Sequence, residues 1–96
     1  MRIISQDGRF DLPYELVAIS MHNIHQEQVI AKPIANTTKL YCVMGEYSKK
    51  EKAEKAMEML RTEYGNYKQA IGRNGQLLAY SFNYPKVFRF PQDSEV

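Results

Sequence analysis

The stretch from Ser48 to Gly65 constrains this chain most, because Ala53, Ala56, Met57, Leu60 and Tyr64 recur there at three-and-four spacing and make one apolar stripe. Such a stripe has to be buried against another layer. The Ser48 hydroxyl is placed to accept an amide of the first turn while Glu51 reaches back, a capping box. On the solvated side Lys50 can pair with Glu54 and Glu51 with Lys55, and Gly65 stands where a left-handed cap would end the helix.

Most of the remaining chain alternates at period two. Arg2 to Phe10 reads as two short strand pieces around Asp7-Gly8, a dipeptide suited to a tight turn. This assigns the polar cluster Ser5-Gln6-Asp7-Gly8-Arg9 to architecture, since turn chemistry accounts for its residue types and no nucleophile and base pair lies nearby. Asp11 to Tyr14 follows as a connector kinked at Pro13. Leu16 to Met21 is a strand with Val17, Ile19 and Met21 on one face, and Asn23 to Gln26 is a polar turn. Glu27 to Ala31 runs back, Pro33 with Asn36-Thr37-Thr38 ends that piece, and Lys39 to Met44 alternates again. Beyond the helix, Tyr67 to Ile71 and Gln76 to Phe82 flank Arg73-Asn74-Gly75, a second hairpin signal, and Val87 to Phe90 is a last short strand. The expectation is one α+β domain over residues 1–96: a small antiparallel β-sheet of hairpins and meander, with one α-helix (about 49–64) packed on one face.

Composition narrows the function classes. Thirteen basic against eleven acidic residues leave a net charge of +2, too balanced for the positive stripe of a duplex-DNA binder and equally unlike an acidic mimic of DNA. The single Cys42 cannot form an internal disulfide, and no segment has the length and apolarity of a signal peptide or membrane span. The expected address is the cytoplasm. No glycine-rich phosphate loop and no nucleophile motif is present, so the expectation is a binding protein and no enzyme.

Two clusters carry chemistry. His22 and His25, with Cys42 on a neighbouring strand, have zinc-ligand character, provided that the chain bends at Asn23 and that Asp11 or Glu27 supplies a fourth ligand. The competing reading is two ordinary turn histidines. Tyr67, Lys68, Arg73, Tyr80, Tyr84, Lys86 and Arg89 interleave rings and cations, a pattern that grips a protein or stacks a nucleotide and that a half-buried sheet also produces. Among these, Tyr67, Arg73, Tyr84, Lys86 and Arg89 are the expected partner-binding residues, together with the turn at His22 to His25.

The blocks "MRIISQDG…DLPYE", "GEYSKKEKAEKAMEMLR" (Gly45 to Arg61) and "FRFPQD" (Phe88 to Asp93) resemble small proteins of phages and prophages in Gram-positive bacteria. They cover about two fifths of the chain. Met21 to Thr38 and Gly65 to Lys86 depart from that pattern, the latter being shorter, and partner choice is expected there. The resemblance implies a phage setting and an inhibitor of a host defence protein, an anti-CRISPR protein acting on the type II CRISPR effector nuclease by blocking nucleic-acid loading or activation. The alternatives are a nucleotide-signal sponge, with Arg73, Lys86 or Arg89 against phosphates, and a phage structural or regulatory protein.

Overall fold

The computed structural model describes residues 1–35, 40–70 and 87–96. Within them the chain is an α+β fold whose strands form two three-stranded sheets. β1 (Arg2–Ile4), β2 (Asp11–Pro13) and β6 (Val87–Arg89) make one, in the order β2-β1-β6. β3 (Val17–Met21), β4 (Gln28–Pro33) and β5 (Cys42–Glu46) make the other, an antiparallel meander. Helix α1 (Lys50–Ala70) packs on one face of the meander.

Alternation sets which residues face the helix. Val17, Ile19 and Met21 of β3 and Val29 and Ala31 of β4 pack into the core with Ala53, Ala56 and Leu60 of the helix stripe. The two alanines are fully buried, and their small side chains let the helix backbone come close to the sheet. Ile3, Phe88 and Phe90 join the same core from the other sheet, with the Phe88 and Phe90 rings edge to face at 5.3 Å. One core thus serves both sheets.

Four local expectations need correction. The returning arm of the first hairpin is Asp11–Pro13, beyond Phe10, because Ser5 and Asp7 widen the turn with side-chain hydrogen bonds. Pro13 fits as the last residue of an edge strand. β6 pairs parallel with β1, so the chain is not antiparallel throughout. The helix does not stop at Gly65 but continues to Ala70, so Tyr67 lies on the helix and not on a strand. Its extra turn carries Tyr67 alongside Tyr64 at 6.2 Å, while Tyr64 packs on Tyr14 at 4.4 Å.

The helix start also differs from the expected box. Its first hydrogen bonds run to the Lys49 carbonyl, one residue later than a Ser48 cap needs, and the Ser48 amide donates to Asp93 Oδ1 at 2.7 Å. A capping box does occur in the closing 3-10 turn (Asp93–Glu95), between Gln92 and Glu95. The Lys50 and Glu54 pair forms at 3.9 Å. The hairpin at Arg73-Asn74-Gly75 and the strand from Gln76 to Phe82 lie outside the described residues.

Candidate functional site

The opening cluster resolves into a clasp. Ser5 is fully buried; its hydroxyl donates to Asp7 Oδ1 at 2.6 Å and accepts the Phe10 amide at 3.0 Å. Gly8 follows with φ +77°, a conformation that glycine takes without a steric penalty. The Ser5 hydroxyl and the Arg9 amide together hold the Asp7 carboxyl below the usual carboxylate range.

Gln6 uses every polar group it has. Its amide donates to the Met44 carbonyl, its side-chain oxygen accepts the Glu46 amide, its Nε2 donates to the Pro91 carbonyl, and its own carbonyl accepts from Gln92 Nε2. Tyr47 adds a bond from its hydroxyl to Pro91 at 2.9 Å, and Lys52 Nζ reaches Asp93. Burial pushes the Tyr47 phenol up to about 12, and the Ser48 amide and Lys52 hold the Asp93 carboxyl low. These bonds fasten β1, β5, the helix start and residues 90–93 to one another, so the cluster is structural.

The face of the meander away from the helix is different. Tyr41 precedes Cys42, and alternation sends the two to opposite sides: Cys42 packs against the core, while the Tyr41 hydroxyl lies 3.3 Å from His22 Nε2. The Tyr41 ring stands between two depressions. One, of ≈ 290 Å³, is lined by Ser20, Met21, His22, Asn23, Ile30, Lys32 and Tyr41. The other, of ≈ 530 Å³, lies between β5 and the Asp7 turn and is lined by Gln6, Asp7, Arg9, Phe10, Tyr41 and Val43, among others.

The chain does bend at Asn23, bringing the His22 and His25 rings to 5.1 Å. His22 Nδ1 accepts the amides of Ile24 and His25, each at 3.0 Å, which makes the histidine part of its own turn. His25 Nδ1 is 3.9 Å from Glu27, and Asp11 is engaged by Arg2 on the other sheet. Cys42 faces away from both histidines' turn, and among the described residues no group of three or more His, Cys, Asp and Glu is arranged to hold a metal.

The expected partner-binding residues divide. Tyr67 sits on the last turns of α1, and Arg89 is exposed on β6, its guanidinium beside the Gly8 turn, where a Cβ would meet Nη1 at 3.7 Å. Arg73, Tyr84 and Lys86 lie outside the described residues. Ile24 lies in the turn at His22 to His25 that the sequence singled out, whereas Tyr41 and Lys32 were not among the expected residues. The available signal for Tyr41 was the alternation that sets it opposite to Cys42.

Among the described residues no helix is long and apolar enough to cross a membrane. Comparison with protein-family models, with curated proteins and with solved structures finds no match.

Proposed function

We propose that this protein works by docking on a host protein, without chemistry of its own, as a phage-borne inhibitor of a bacterial defence complex. The type II CRISPR effector nuclease is the first candidate partner. The observation that supports docking is the set of large apolar side chains left in solvent around the meander: Leu16, Ile24, Ile34, Leu40 and Tyr41, with Ile24 80% exposed. They sit at strand ends and turns of one sheet, and exposed apolar side chains around a rigid sheet are the raw material of a protein interface. A near-neutral total charge fits protein docking better than imitation of duplex DNA.

The test is co-purification of the tagged protein with the effector nuclease, with and without guide RNA, followed by a cleavage assay. Stoichiometric capture and loss of cleavage are expected. The double variant Ile24→Asp/Ile34→Asp, checked for native circular dichroism, should lose capture. A folded wild-type protein that neither binds nor inhibits the nuclease would overturn the nuclease assignment. A lysate eluate holding a nucleotide and no host protein would overturn docking itself.

A further inference from the structure

The depression beside Tyr41 has a lining with a consistent sign. Ser20, Asn23, Lys32 and Tyr41 all offer hydrogen-bond donors, Lys32 adds a fixed positive charge, and no carboxylate is among its described lining residues. Ile30, paired with Ser20 on the same face, supplies the apolar floor.

Hydrogen bonding around His22 assigns its tautomer. Because Nδ1 accepts two backbone amides, its lone pair is engaged, and the neutral ring carries its proton on Nε2. Nε2, the ring's N–H donor in that tautomer, lies 3.3 Å from the Tyr41 oxygen, which leaves the Tyr41 O–H to donate to a ligand. The geometry of the turn therefore orients the exposed phenol.

We propose that this depression is a receptor for a carboxylate side chain, an aspartate or glutamate of the partner protein, held by the Lys32 ammonium and the Tyr41 hydroxyl with its methylenes over Ile30. The proposal rests on the docking function above and names the chemistry that the partner must present. One fixed positive charge matches a monoanion and leaves a phosphate dianion only half compensated, and ≈ 290 Å³ suits one side chain better than a nucleotide. Glu27, 3.9 Å from His25 Nδ1 in the same turn, is not among the residues that line the depression.

The experiment needs no partner, so its failure is separate from failure of docking. The isotopically labelled protein is titrated at pH 7.5 and constant ionic strength with N-acetyl-glutamate methylamide, inorganic phosphate or chloride, following amide and imidazole resonances. Saturable shifts at Ser20, His22, Lys32 and Tyr41 with the carboxylate probe are expected, abolished by Lys32→Met and weakened by Tyr41→Phe. Shifts no larger than those from chloride, shifts that survive Lys32→Met, or tighter binding of phosphate than of the carboxylate would each overturn the proposal. Where a partner is in hand, Lys32→Glu should weaken its binding by at least about tenfold, with faster dissociation.

Discussion

The Gln6 amide meets the Met44 carbonyl at 2.6 Å, and Met44 is the residue left between partners where β5 shifts register against β4. The bulge turns that carbonyl outward, and Gln6 takes the place of a neighbouring strand. One side chain and one amide thereby join the two sheets.

Gln6→Ala should therefore destabilise the fold although Gln6 is only half-buried. It removes the side-chain bonds to Pro91 and Glu46 while leaving the backbone bond to Met44. The expected loss is about 1–3 kcal/mol, read as a lower urea midpoint at unchanged slope.

Two glycines should respond with opposite signs. A Cβ at Gly45 would lie 2.8 Å from the Tyr47 ring, so Gly45→Ala has to displace Tyr47 and its bond to Pro91, costing about 1–3 kcal/mol. Gly65 is helical, exposed and has nothing within 4 Å of that position, so Gly65→Ala should stabilise by about 0.5–1 kcal/mol. Thermal denaturation of both variants checks the pair.

Acid should loosen the closing segment. The Asp93 carboxyl titrates below its ordinary 3.8, so its contribution is fully present above that value and is lost as pH falls through the lower folded one. Asp93→Asn should be less stable than wild type at neutral pH, with the difference shrinking below pH 3.8. At the alkaline end, the Tyr47 phenol raised from 10.0 to about 12 contributes stability that is lost as pH rises through that interval. Tyr47→Phe should flatten the alkaline limb.

Zinc should leave the melting temperature unchanged. His22 has its Nδ1 engaged by two amides, its Nε2 beside Tyr41, and Cys42 on the other side of the strand. Thermal melts with equimolar zinc, and metal analysis after dialysis, test this directly.

The helix stripe and the meander were legible because burial imposes a period, and Ala53, Ala56, Leu60, Val17, Ile19 and Met21 all obey it. The parallel pairing of β1 with β6 was not. Arg2-Ile3-Ile4 and Val87-Phe88-Arg89 each place one buried residue between more exposed ones, and such alternation states which face is inward without naming the neighbour. Gly65 misled because its conformational freedom permits a helix end without demanding one, and Tyr67 gives the next turn a ring to pack. The Tyr41 site was invisible in the sequence for a similar reason: its partner His22 is 19 positions away and is brought near only by the meander.

The clasp also bears on the order in which the chain can fold. Gln6 bonds to Pro91 and Gln92 across 85 and 86 positions, and closing a loop of that length costs about 4 kcal/mol of chain entropy before any contact offsets it. The meander and helix are built from near neighbours and can form while the chain is still emerging from the ribosome, whereas β1 has to wait beside an empty position for β6. Until residues 87–92 arrive, the opening strand is a bare edge, and a nascent chain halted before them would display it to every other strand in the cell.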